Sequence, residues 1–344
     1  MTTQTKPLLR VLAGETLNPP PVWLMRQAGR HLQEYKDLRA KAENFLNFCY
    51  TPDMAVEVTL QPIRRYSMDA AILFSDILVI PDALGQKVSF VPGAGPKLDP
   101  IRTVAEIDRL QDERLHEHLA PVYETVTRLR KELPEDVTLI GFAGAPWTVA
   151  TYVVEGAGSK DYHTVRSWAY RAPAEFQKLI DILTESTTSY LIKQVEAGAE
   201  ALQIFDSWAG VLPPDQFERW VIAPFQKIIG AVKDRFPQVP IIGFPRGAGL
   251  QYATFAEKTG VDAVSLDSTV PLEWARDHVQ VHTAVQGNLD NLALLAGGES
   301  IEAEAKRILD VLSKGPLIFN LGHGVLPDTP VTHVERLLEI VRGD

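Results

Sequence analysis

Eight short apolar runs, many of them rich in β-branched residues, recur along this chain, and segments with helical signals lie between them. The runs are Val22–Met25, Ala70–Phe74, Thr138–Phe142, Ala201–Phe205, Pro240–Phe244, Ala263–Leu266, Ala284–Gln286 and Leu317–Asn320. Each is short enough to be buried on both faces, and Gly, Pro or Asp bounds it. Parallel neighbours need a crossover, so strands alternating with helices predict a parallel sheet. Eight such units in 344 residues favour an α/β fold of the (β/α)8 barrel type. The competing open, doubly wound sheet lacks its signature. None of the clusters Gly93-Ala-Gly95, Gly156-Ala-Gly158, Gly247-Ala-Gly249 and Gly322-His-Gly324 completes G-x-G-x-x-G, and there is no Walker loop.

Helix starts are marked by proline. Thr51-Pro52-Asp53 reads as an N-cap followed by proline at the first helical position, and Pro214 and Thr329-Pro330 open others in the same way. Amphipathic stretches cover Val104–Lys131, Ala174–Ala197 and Ile301–Leu312. With no internal repeat and no Gly/Ser linker, one domain is expected over residues 1–344.

Charge narrows the partners. There are 34 Lys and Arg against 44 Asp and Glu, a net charge of -10, so no general cationic field exists to hold nucleic acid or an anionic membrane. An anionic small molecule fits only where a few basic residues gather. The single cysteine, Cys49, excludes an intrachain disulfide or a multi-cysteine metal site and suits a reducing compartment. The polar start Met1–Pro7 does not read as a signal peptide. The longest apolar run, Ala70–Ile80, is broken by Ser75 and Asp76 before it reaches membrane-spanning length. A cytoplasmic location is expected.

In a barrel, chemistry sits beyond the C-terminal ends of the strands. Arg26, Gln27 and Arg30 follow the first run, Asp76 the second, Gly144–Trp147 the third, Asp206 and Ser207 the fourth. Arg246 follows the fifth, Asp267 the sixth, and Gly322-His323-Gly324 the eighth. Two arginines four apart, with the small Ala28 and Gly29 between them, can fork carboxylates while backbone N–H groups approach closely. The plain alternative is a surface ion pair. Asp76 closes an apolar stretch, where a carboxylate needs a partner or a function. An ion pair with one of the arginines would also satisfy it.

Tyr152 precedes the Gly156–Ser159 loop, and a core tyrosine with its hydroxyl on backbone is the ordinary reading. Ser207 lacks the G-x-S-x-G elbow, because Phe205 holds the first glycine position, so it reads as a hydrogen-bonding group. His323 has only glycines beside it and reads as a site residue. His278 and His282 have a zinc-compatible spacing, but no H-E-x-x-H exists, and no metal is expected.

At these residues the sequence resembles the uroporphyrinogen decarboxylase family, from about residue 7 to the C-terminus. The resemblance rests on Met25-Arg-Gln-Ala-Gly-Arg30, on Phe74-Ser-Asp-Ile-Leu78 with Pro62 and Asp69 before it, and on Gly141-Phe-Ala-Gly-Ala-Pro-Trp-Thr148. Thr151-Tyr152, Phe205-Asp-Ser-Trp-Ala-Gly210 and Gly322-His-Gly324 complete it. It implies a distorted barrel, a homodimer with facing clefts, and uroporphyrinogen III as substrate, with no cofactor. The substrate contacts it implies are Arg26, Gln27, Ala28, Gly29, Arg30, Asp76, Tyr152, Ser207 and His323; of these, Asp76, Arg26 and Arg30 would be catalytic. His31, Gln33 and Lys36 depart from the family's usual Tyr, Pro and Arg beside the site. Zinc-dependent methyltransferases share this barrel, and a non-catalytic tetrapyrrole carrier would keep the pocket. A phosphate-binding barrel would leave the paired arginines unexplained.

Overall fold

The structure is a computed structural model, and it describes residues 6–91, 93 and 95–343. Most of the polar start and Ala94 of the first glycine cluster lie outside the described residues. The strands are β1 (Ala70–Ile72), β2 (Val88–Val91), β3 (Gly95–Leu98), β4 (Thr138–Gly144), β5 (Ala201–Asp206), β6 (Ile241–Pro245), β7 (Ala263–Ser265), β8 (Ala284–Leu289) and β9 (Leu317–Leu321). Seven of them form one sheet in the order β1-β4-β5-β6-β7-β8-β9, and every pairing in it is parallel.

Residues 21–25 join the two edges of that sheet. Phe319 N donates to Pro21 O at 2.8 Å and Trp23 N to Phe319 O at 3.4 Å, while Asp69 N donates to Val22 O at 3.0 Å on the other side. The Asp69 carboxylate then accepts Val22 N at 2.7 Å. The ring of eight is therefore complete, but the first predicted strand contributes only the Val22–Phe319 bridge rather than a ladder. Pro19, Pro20 and Pro21 precede it, and proline has no N–H to give a neighbouring strand.

Strand periodicity sorts the core into two layers. Trp23, Met25, Ala70, Ile140, Ala201, Ile242, Ala263, Ala284 and Ile318 point into the barrel and pack with Leu8, Leu9, Val11 and Leu12 of the Pro7–Leu12 helix. Alternate neighbours such as Leu139, Leu202, Ile241, Val264, Val285 and Phe319 point outward into the helical layer. Small and large residues mostly alternate around the inner ring, which lets the narrow interior fill without clashes. One step nearer the mouth the interior turns polar. Trp23 Nε1 donates to Gln286 Oε1 at 2.9 Å, and Gln286 Nε2 donates to Gln203 Oε1 and Ser265 Oγ, both at 3.1 Å.

The chain leaves the sheet soon after Ile72, its last tie being Leu73 N to Ile140 O at 2.9 Å. Phe142 on β4, paired with β5 on one side, then has no strand on its β1 side. Gln194 of the Pro173–Ala197 helix takes that place: Phe142 N donates to Gln194 Oε1 and Gln194 Nε2 donates to Phe142 O, each at 2.9 Å. Gly141 makes room, since a Cβ there would fall 2.6 Å from Gln194 Oε1.

Helices occur where the sequence signals them, with differences in detail. Pro52–Tyr66 begins at the expected proline, but the Thr51 hydroxyl donates back to Asn47 O at 2.7 Å and caps nothing. Pro330 sits at the cap of Val331–Arg342 instead of its first turn. Val104–Lys131 divides into Val104–Ile107, Leu115–His118 and Ala120–Glu132. The antiparallel β2–β3 hairpin is absent from the sequence reading, because its polar Ser89 and Lys97 and its glycines read as loop. Leu98 N anchors it on Gly156 O at 2.8 Å. Among the described residues no helix is long and apolar enough to cross a membrane.

Candidate active site

The loop after the first run is held by its own glutamine. Leu24 N donates to Gln27 Oε1 at 3.0 Å, and Gln27 Nε2 donates to Ala70 O at 3.0 Å, so this buried amide ties the loop to β1. Met25 is bound on both sides, its N–H to Asn320 Oδ1 at 3.0 Å and its carbonyl from Val325 N at 2.9 Å. Between these anchors Arg26 takes a left-handed backbone, φ 62°. Its side-chain stem lies on Gly324, where a Cβ would come within 2.6 Å of Arg26 Cγ. Gly29 is needed for a similar reason: a Cβ there would sit 2.7 Å from Arg26 O. Among the described residues the amide N–H groups of Ala28, Gly29 and Arg30 have no acceptor, so the loop presents free donors together with two guanidinium groups.

Asp76 lies past the end of β1, where its carboxylate accepts Leu78 N at 2.8 Å. Protein packed around it pushes its pKa up to about 6, against the Leu78 N–H and the positive charge of Arg26. The protein packed around Arg26 lowers that guanidinium, Asp76 and Tyr152 raise it, and Arg30 and Arg246 lower it further. Both Arg26 and Arg30 nevertheless keep contact with solvent through the barrel mouth. Neither makes an ion pair or a side-chain hydrogen bond among the described residues, so the pairing expected as the plain alternative does not form.

Tyr152 projects from the Pro146–Glu155 helix that follows β4, with its ring 6.4 Å from that of Trp208. Its hydroxyl has no backbone acceptor among the described residues. Burial raises its pKa, and the charges of Asp76 and Arg26 both act on it. Ser207 follows β5 and lines a cleft of about 570 Å3 with His323, Arg246, Tyr162 and Thr269. His323 is half-buried, and its Nδ1 has no partner among the described residues. Burial first, then Arg26 and Arg246, push it down to about 4, so it is a neutral imidazole near pH 7.

Sequence reasoning placed Arg246 and Asp206 at strand ends without giving them work. Asp206 is wholly buried, accepts Thr148 Oγ1 at 2.5 Å, and is pushed up to about 7 by burial. Thr148 in turn accepts Trp208 N at 3.0 Å, which fixes the turn carrying Ser207. His31 is buried behind the arginine loop, stacked on Tyr66 with centroids 6.3 Å apart. Among the described residues no three His, Cys, Asp or Glu side chains are grouped to hold a metal, and Cys49 is buried in the Phe45–Cys49 helix.

A methyltransferase from Methanosarcina mazei superposes over 99% of this chain and 98% of its own with a TM-score of 0.81, at 20% identity, which speaks for the barrel fold alone. The uroporphyrinogen decarboxylase of Rhodospirillum rubrum is 56% identical over 338 residues, 98% of this chain and 97% of that protein. The uroporphyrinogen decarboxylase of Mesorhizobium japonicum is 54% identical over 336 residues, again 98% of this chain and 97% of the relative. The family described as uroporphyrinogen decarboxylase matches residues 3–343, essentially the whole barrel and every strand end at its mouth. The chain belongs to the uroporphyrinogen decarboxylase family.

Proposed function

We propose that this protein removes CO2 from the four acetate side chains of uroporphyrinogen III, giving coproporphyrinogen III. The observation that carries the reading is an arginine loop without ion pairs among the described residues, whose Arg26 acts on the sheltered carboxylate of Asp76, in a chain of this family. Arg26 and Arg30, with the free amides of Ala28 and Gly29, hold substrate carboxylates. Gln27 acts indirectly by keeping that loop in place. Tyr152, Ser207 and the neutral His323 bind or orient further side chains by hydrogen bonds.

The reaction needs an electron sink, and the substrate supplies it. Protonating a pyrrole carbon next to the acetate-bearing position makes the ring cationic. The bond to the carboxylate breaks, CO2 leaves, and its electron pair neutralises the ring. Protonation of the resulting methylene and loss of the added ring proton leave a methyl group, so no cofactor is required. Asp76 accepts the pyrrole N–H groups and stabilises the ring charge as it develops. At an effective dielectric near 20, a charge pair about 4 Å apart is worth about 4 kcal/mol, close to a thousandfold in rate. Arg26 is the candidate proton donor, because its surroundings weaken its hold on its proton.

The same reading takes residues 1–344 as one domain and the protein as a cytoplasmic homodimer. Supporting the dimer, Leu250 and Leu292 follow β6 and β8 on the mouth side and are 78% and 60% exposed. Supporting the location, the lone cysteine is buried and unpaired.

The test is anaerobic incubation of purified protein with uroporphyrinogen III, followed by oxidation and separation of products by carboxylate number. Stepwise appearance of seven-, six-, five- and four-carboxylate species is expected. Tight binding without CO2 release would make the protein a carrier and end the decarboxylase reading.

A further inference from the structure

Position around the ring of strands sets what can face what. Residues 21–25 stand first and β6 stands fifth of eight, so the loops that follow them lie opposite each other across the mouth. Arg26 and Arg30 occupy one loop and Arg246 the other. The Arg246 backbone is fixed: its N–H donates to Asp206 O at 3.0 Å and its carbonyl accepts Gly210 N at 3.1 Å. Its half-buried side chain lines the cleft and makes neither an ion pair nor a hydrogen bond among the described residues.

The acid beside it is already committed. One Asp267 oxygen accepts Gly247 N at 2.7 Å and Tyr252 OH at 2.8 Å; the other accepts Thr269 N at 2.9 Å and Thr269 Oγ1 at 2.5 Å. A carboxylate offers about four such positions, and all are filled. Asp267 therefore holds the loops together and has no acceptor position left for Arg246. Gly210 and Gly247 pack backbone to backbone, a Cβ on Gly210 falling 2.6 Å from Gly247 C, so the wall that carries Arg246 is rigid. A half-buried cation on a held backbone, lining a cleft with no partner among the described residues, is a site for an anion.

We propose that Arg246 is a second carboxylate clamp, gripping a side chain of the pyrrole opposite the one held by Arg26 and Arg30. The proposal rests on the tetrapyrrole reading and adds a residue to it. A macrocycle with carboxylates on every side is then held from both walls while Asp76 faces its centre. Arg246 binds and positions, and it takes no part in bond breaking.

Steady-state kinetics of wild type, Arg246→Gln and Arg246→Lys with uroporphyrinogen III test it. Losing a charge-assisted hydrogen bond should raise KM about 10- to 100-fold in the Gln variant, with kcat within about threefold of wild type. Arg246→Lys should recover much of the loss, and thermal melting of both variants should match wild type. Unchanged KM in Arg246→Gln beside an active wild type would remove the clamp and leave the decarboxylase reading standing. A fall in kcat alone, or a lowered melting temperature that Lys does not restore, would also overturn it. An inactive wild type would instead sink the substrate assignment, and the clamp with it.

Discussion

Asp76 is the residue on which turnover should depend most. Asp76→Asn keeps the shape and the Leu78 contact but removes the charge, so kcat should fall about 100- to 1,000-fold while substrate binding is largely retained. Full turnover would refute the charge-stabilising role. The sign of the pH dependence follows from burial, which pushes Asp76 up to about 6. Protonation removes its charge, so the rate should be level above that pH and fall about tenfold per unit below it. A pH profile of kcat that stays level down to pH 4 would contradict this. Much at this scale was legible in the sequence, because Arg26, Asp76, Ser207 and His323 all follow apolar runs that end at the mouth. The left-handed Arg26 and its seat on Gly324 were not legible, since that contact exists only once the two ends of the chain meet.

At the scale of elements, the early departure of the chain from β1 is what frees Asp76 to enter the mouth, and Gln194 makes that departure tolerable. Gln194→Leu would leave the Phe142 N–H and C=O buried without partners. Each orphaned group costs about 1–3 kcal/mol, so the variant should lose about 2–6 kcal/mol in urea unfolding. A loss below about 1 kcal/mol would mean that the latch contributes little. A period-3.6 pattern marked the Pro173–Ala197 helix correctly, yet nothing in it distinguishes Gln194 from a surface glutamine. The hairpin at β2 and β3 was missed for the converse reason: it is held to Gly156 by backbone, and backbone bonds leave little trace in side-chain pattern.

For the whole molecule, the two exposed leucines on the mouth side bear on assembly. If clefts face each other in a homodimer, replacing both Leu250 and Leu292 with Asp should shift sedimentation from dimer to monomer at micromolar concentration. A variant that sediments like wild type would place the interface elsewhere.

Closure of the barrel has its own consequence. The segment that seals the ring, residues 21–25, runs directly into the arginine loop, and it is held by a few backbone bonds and by the side chains of Asp69 and Asn320 rather than by a ladder. The closing seam of the barrel and the loop proposed to bind substrate are thereby one mechanical unit. Warming that loosens the seam would silence the enzyme while the other seven strands remain paired, and a bound tetrapyrrole, gripping both sides of the mouth, would act as a strap that holds the barrel shut.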